Sequence, residues 1–199
     1  MQRYRSVAEL VSVDQEGWLR GRSLRQLPTK NSDHRPEGVL IDSLVIHHIS
    51  LPERHHNPQP VLDFFLNRLD LNEYPMLKPL DQIRVSSHFL IDRSGLIYQF
   101  VSCLERAWHA GVSAAMGRSQ FNDFSIGIEL IGDEYSPFTA TQMQTLIQLI
   151  RCLRKTYPLT YAFAHSEIAP GRKVDPGSFF SWDGIRKPHN FEIDLQSAS

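Results

Sequence analysis

Five stretches of this chain carry the apolar, β-branched pattern of strands. Residues 44–49 (Leu-Val-Ile-His-His-Ile) follow the turn-prone Pro36–Gly38 segment and stop at Pro52. Residues 87–91 and 96–100 flank Asp-Arg-Ser-Gly, a turn sequence, and read together as a hairpin. Residues 125–131 form an apolar run broken by Glu129, and residues 161–165 lead into a loop rich in Pro and Gly. Two helices are predicted. The first, 60–69, opens with Pro at a first-turn position. The second, 139–157, opens with the capping-box pair Thr139 and Gln142, places Met143, Leu146, Ile147, Ile150 and Leu153 on one face, and ends at Pro158. A further helical turn is expected near 181–186. Residues 1–36 are polar with scattered turn formers and read as an arm wrapped on the domain, with one short strand. Strands interspersed with helices predict an α/β (α+β) fold, one domain built on a central mixed sheet flanked by helices. The expected division is an arm at 1–36, a main domain at 37–190 and a tail at 191–199.

Composition narrows the functional classes. The 199 residues hold 21 Lys and Arg against 22 Asp and Glu, so the net charge of −1 argues against a dedicated nucleic-acid binder. No apolar run approaches the roughly 18–20 residues of a spanning helix. The first 22 residues lack the apolar run of a signal peptide, which leads to the expectation of a cytoplasmic protein. Two cysteines, Cys103 and Cys152, make no disulfide framework and read as reduced core residues. Nine histidines are the unusual count and direct attention to a metal site.

The segment 164–177 places an imidazole (His165), a cation (Lys173) and a carboxylate (Asp175) in one loop stiffened by Pro170 and Pro176. A carboxylate ten residues after a histidine can fold back on it if the loop is compact. His47 and Glu129 each sit in an apolar strand, where an unpaired polar group costs roughly 1–3 kcal/mol to bury. Two His and one Asp, with a fourth position open, is the ligand inventory of a catalytic zinc site. A buried Glu beside it suits a general base, and a Lys suits a stabiliser of developing negative charge.

At these residues the chain resembles the zinc-dependent N-acetylmuramoyl-L-alanine amidases, in particular the cytoplasmic AmpD type that acts on 1,6-anhydro-muropeptides. The resemblance covers about residues 40–186. It rests, in order, on Val45-Ile46-His47, on Arg84-Val85-Ser86-Ser87-His88-Phe89-Leu90-Ile91, on Arg106-Ala107-Trp108-His109-Ala110-Gly111, on 122–130 (Asn-Asp-Phe-Ser-Ile-Gly-Ile-Glu-Leu), and on His165 through Gly177. It implies a fold shared with peptidoglycan recognition proteins and a Zn²⁺ held by His47, His165 and Asp175. It further implies Glu129 as acid/base and Lys173 as oxyanion stabiliser. Arg84, His48, Trp108 and His109 are then expected to bind substrate, Arg84 through a planar fork suited to a carboxylate. Relatives tend to have Asn where this chain has His48 and a basic residue near Gln120. The first departure leaves two adjacent imidazoles, of which the family pattern favours His47. The implied activity is hydrolysis of the amide between (1,6-anhydro-)N-acetylmuramic acid and L-Ala of a stem peptide, in cell-wall recycling, with consequences for muropeptide-sensed β-lactamase induction. The expected partner is the anhydro-muropeptide alone, with no nucleic acid and no membrane, on a monomer. Two rival readings are a non-catalytic muropeptide-binding module and a periplasmic amidase acting on intact peptidoglycan.

Overall fold

The computed structural model describes residues 10–187 and 190–191. In chain order its elements are β1 (Leu10–Val13), β2 (Leu19–Gly21), β3 (Leu24–Gln26), β4 (Ser32–His34), β5 (Ser43–Ile49), α1 (Gln59–Phe65), β6 (Phe89–Ile91), β7 (Ile97–Gln99), β8 (Glu105–Ala107), β9 (Ala114–Ala115), β10 (Arg118–Ser119), β11 (Ser125–Ile131), α2 (Ala140–Leu153), β12 (Tyr161–Ala164) and α3 (His165–Ile168). The main sheet has six strands in the order β12-β5-β11-β6-β7-β3. β12, β5, β11 and β6 run parallel, β7 is antiparallel to β6, and β3 is parallel to β7. The sheet is mixed, as expected.

Strand alternation divides the sheet into two chemically different faces. Leu44 and Ile46 of β5, Ile126, Ile128 and Leu130 of β11, and Ala162 of β12 pack in one cluster with Leu146, Leu149, Ile150 and Leu153 of α2. Each such leucine, fully buried, contributes roughly 1.5–3 kcal/mol by transfer from water. The opposite face carries Val45 and Phe163 in one cluster and Leu90 and Ile131, packed under α1, in another. By the same alternation His47, Gly127 and Glu129 belong to this second face.

The predicted strands and both long helices are present; β11 has the expected bounds, β5 begins one residue early, and β6, β7, β12 and both helices are shorter than expected. α1 stops at Phe65 because Asn67 takes a left-handed conformation, φ +57°. Asn67 N–H then donates to Phe64 O, and Arg68 N–H to Asp63 O, which closes a Schellman motif. α2 begins as predicted, with Thr139 Oγ1 accepting from Gln142 N–H and Gln142 Oε1 accepting from Thr139 N–H. It ends at Leu153, where the chain tightens into three-residue turns at Lys155 and Thr156. The helical turn expected near 181–186 is one turn closed by Arg186 N–H on Trp182 O.

The 1–36 stretch departs most from expectation. It carries β1 to β4 rather than one strand, and β3 forms an edge of the main sheet. Buried Gln99 of β7 is the anchor. It accepts from Leu19 N–H and donates to Gly17 O and Val101 O, so polar contacts a chain apart hold the segment down. Apart from Phe191, the expected 191–199 tail lies outside the described residues.

Candidate metal centre and groove

Parallel register assembles the site. Glu129 of β11 pairs with His47 of β5, and Ala164 of β12 pairs with Ile46. His165, the residue after the last β12 pair, is therefore next to His47 in the same row. Three chemistry-bearing residues thus line up at the carboxyl ends of three adjacent parallel strands, where open parallel sheets present their ligand sites. His165 also begins α3, a departure from the strand expected through 165. The loop after α3 folds back as its composition suggested. Arg172 and Lys173 N–H donate to Ala169 O, and Ser166 N–H donates to Asp175 O.

The result is a triangle of donor atoms. His47 Nδ1 lies 2.9 Å from His165 Nδ1 and 3.0 Å from Asp175 Oδ2, and His165 Nδ1 lies 3.1 Å from the same oxygen. All three residues are buried. These edges are close to the ~3.3 Å expected between ligands of a tetrahedral ion bound at about 2.0–2.1 Å.

The donor set suits a cation. His165 Nε2 lies 3.1 Å from Ala110 O, which only accepts, so the ring proton belongs on Nε2 and Nδ1 turns a lone pair inward. Burial lowers the His47 pKa to about 4 and keeps that ring neutral. Burial alone would raise the Asp175 pKa, but its close contacts with His165 and His47 outweigh it and hold the carboxyl well below the usual range. Two imidazole nitrogens and one carboxylate oxygen converge, and a metal ion is what such a triangle accommodates.

Glu129 is a different kind of carboxylate. It is buried, and its Oε2 has no hydrogen-bond partner among the described residues. Burial raises its pKa well above the ordinary value, the Asp175 charge raises it further, and the Lys173 cation pulls it back. Lys173 is exposed and lines a groove of about 340 Å³ beside the triangle, with His48, Glu53, Asp133, Tyr135, Arg172 and Asp175 among its walls. His48 Nε2 is buried without a hydrogen-bond partner among the described residues.

The other expected substrate positions fall elsewhere. Arg84 is exposed, donates to Asp81 O and Ile83 O, and lines a separate cavity with Phe64, Asn67 and Leu80. That cavity shares no lining residue with the groove beside Asp175. Trp108 is half-buried, and its backbone N–H donates to Ser86 Oγ. His109 is buried against the sheet, with Nδ1 3.0 Å from His47 Nε2. Sequence reasoning missed two residues. Arg172 donates to Ala110 O and Val112 O and ties the loop to the 110–112 segment. Gly127 lies under the His109 ring; its only sequence signal is a glycine inside a strand, which often marks close approach.

Comparison with known proteins identifies the family and the fold. A family profile described as N-acetylmuramoyl-L-alanine amidase matches residues 37–178. The chain is similar to the 1,6-anhydro-N-acetylmuramyl-L-alanine amidase AmpD of Haemophilus influenzae, 44% identical over 162 residues that cover 80% of this chain and 88% of that one. It is also similar to AmpD of Escherichia coli K12, 40% identical over 86% of this chain and 94% of that one. A crystal structure of a selenomethionine AmpD derivative superposes with a TM-score of 0.84 at 40% identity, covering 89% of this chain and 98% of that one. The Escherichia coli amidase AmiD, solved with anhydro-N-acetylmuramic acid-L-Ala-D-γ-Glu-L-Lys, gives 0.57 at 28% identity, covering 88% of this chain and 64% of that one. No helix among the described residues is long and apolar enough to cross a membrane.

Proposed function

Because this chain belongs to the N-acetylmuramoyl-L-alanine amidase family, we propose that it hydrolyses the amide between 1,6-anhydro-N-acetylmuramic acid and the L-Ala of a stem peptide. We place the reaction in cytoplasmic cell-wall recycling, on a monomer. The observation that carries the reading is the triangle of His47 Nδ1, His165 Nδ1 and Asp175 Oδ2 with Glu129 one strand away in register.

In this reading His47, His165 and Asp175 hold Zn²⁺. When bound, zinc supplies Lewis acidity toward a carbonyl oxygen and toward water. Glu129 takes the proton of the attacking water. Its raised pKa, which follows from burial, makes it a stronger base than an exposed carboxylate. The amide nitrogen leaves poorly until protonated, so Glu129 then returns the proton to it. Lys173, on the groove wall beside Asp175, offers an ammonium to the oxygen that becomes negative in the transition state. His48 lines the same groove and is assigned to substrate contact on that ground. Arg84, Trp108 and His109 are not assigned to substrate contact. Arg84 lies in another cavity, Trp108 does not line the groove beside Asp175, and both His109 ring nitrogens are engaged within the fold.

The decisive experiment incubates the zinc-loaded protein with an anhydro-muropeptide and, separately, with intact peptidoglycan. Release of free stem peptide from the first, abolished by a chelator and restored by zinc, is expected. No release from either substrate would leave a binding module as the better reading, and preferential release from intact peptidoglycan would move the enzyme to the periplasmic class.

A further inference from the structure

A histidine can present a bare Nδ1 to a metal only if its proton sits on Nε2, and the bond made by the second nitrogen decides between the two tautomers. For His47 that bond is to another histidine. His47 Nε2 lies 3.0 Å from His109 Nδ1, with the rings edge-on at 83°. Two neutral imidazoles can share this contact either way round, so the direction must come from further along.

The far nitrogen of His109 supplies it. His109 Nε2 lies 3.3 Å from Ser125 Oγ. The Ser125 hydroxyl donates a short hydrogen bond to the Phe121 carbonyl, which only accepts. Ser125 Oγ therefore has lone pairs, and no proton, to offer His109. The His109 proton belongs on Nε2, its Nδ1 is an acceptor, and His47 must donate to it from Nε2. His109 is buried with two other imidazoles edge-on to its ring.

We propose that His109 is a positioning residue that holds His47 in the Nε2–H tautomer, and that the Ser125 hydroxyl and the Phe121 carbonyl set the direction of this chain. The inference rests on the reading of His47, His165 and Asp175 as a zinc site.

Two independent features show that this position is built. A Cβ at residue 127 would lie 2.5 Å from His109 Cγ and 2.7 Å from its Nδ1. The strand that carries Glu129 thus omits a side chain two residues earlier, on the same face, and the His109 ring fills that place. The backbone is fixed as well, because Asn122 Oδ1 accepts from both His109 N–H and Ala110 N–H. The segment 109–110 accordingly orients both imidazole ligands. Its His109 side chain accepts from His47, and its Ala110 carbonyl accepts from His165.

The test is zinc affinity, measured by chelator competition on the full chain without substrate. Loss of an outer hydrogen bond to a ligand typically costs about 10–100-fold in metal affinity. His109→Leu is expected to lose affinity in that range. His109→Asn, which can place an accepting Oδ1 where Nδ1 stood, should recover most of it. Equal affinity of His109→Leu and wild type would overturn the proposal, as would a His109→Asn no better than His109→Leu. Should His109→Leu fail to fold, Ser125→Ala serves, because it keeps the imidazole and removes only the fixed direction. Weaker zinc binding by Ser125→Ala is expected, and unchanged binding overturns the proposal. A wild-type chain without zinc affinity would instead sink the zinc reading itself, a result separable from the others.

Discussion

Glu129 and Asp175 are two buried carboxylates whose surroundings push them in opposite directions. Asp175 is held ionised by two imidazoles, whereas Glu129 has only desolvation and a like charge near it, offset by Lys173. Glu129→Gln should keep zinc and lose about 10²–10⁴-fold in kcat, the usual range for a positioned acid/base. A variant keeping more than about a tenth of kcat would remove Glu129 from the mechanism. The same residue predicts a stability effect of definite sign. A carboxyl with a raised folded pKa binds protons more tightly when folded, so wild-type stability falls as pH rises above the ordinary value of 4.5. In zinc-free protein Glu129→Gln should therefore melt higher than wild type at neutral pH, and the gain should vanish below about pH 4. Melting curves across pH check this, and a gain that does not change with pH would point to packing instead. Lys173→Ala separates three roles. As an oxyanion partner it should lower kcat and kcat/KM together by about 10²–10³-fold with zinc retained. A pure KM effect would make it a substrate anchor, and no effect would make it a solvated loop cation.

At the scale of elements, α2 gives the sheet its apolar cover, and its N-terminus is where local sequence and tertiary contact meet. Thr139 closes the capping box with Gln142, and its hydroxyl donates to Arg93 O in the β6–β7 turn. Gln142 in turn donates to Ile131 O at the end of the strand that carries Glu129. Thr139→Ala should cost about 0.5–2 kcal/mol, the range for loss of a cap, seen as a shifted denaturant midpoint with unchanged slope. No measurable shift would mean that Gln142 alone holds the end of the helix.

At the scale of the whole molecule, the proposed metal ligands come from positions 47, 165 and 175, and only the folded chain brings them within about 3 Å of one another. A ligand bound by the folded form alone stabilises it by mass action, about 2.7 kcal/mol at a hundred times its Kd. Zinc should therefore raise Tm in wild type and not in Asp175→Ala. Calorimetry with and without a chelator measures the difference. Equal zinc-induced shifts in the two proteins would place the metal elsewhere.

The amino-acid sequence by itself determined whatever depends on near neighbours. The apolar, β-branched runs at 44–49 and 125–131 declare two strands, and strand geometry then puts Leu44 and Ile46 on the face opposite Val45 and His47. Thr139 and Gln142 declare a helix start, and 92–95 declare a hairpin turn, because capping and turn geometry are settled within four residues. The 164–177 loop allowed Asp175 to reach His165 if it folded compactly, and the structure shows that it does. The tertiary structure decided what depends on distant partners. β3 is too short for periodicity, and its place at the sheet edge comes from pairing with β7 and from the Gln99 contacts to residues 17 and 19. Arg84 was read as a planar fork for a substrate carboxylate, but the fold turns it to nearby carbonyls and a separate cavity. His109 was read as a substrate contact, and the fold seats it on Gly127 beneath His47. The physical reason is the same in each case. Side-chain pattern reports which face of a segment is buried, whereas the identity of the group it meets is set by chain crossings tens of residues away, and proton placement on an imidazole depends on that identity.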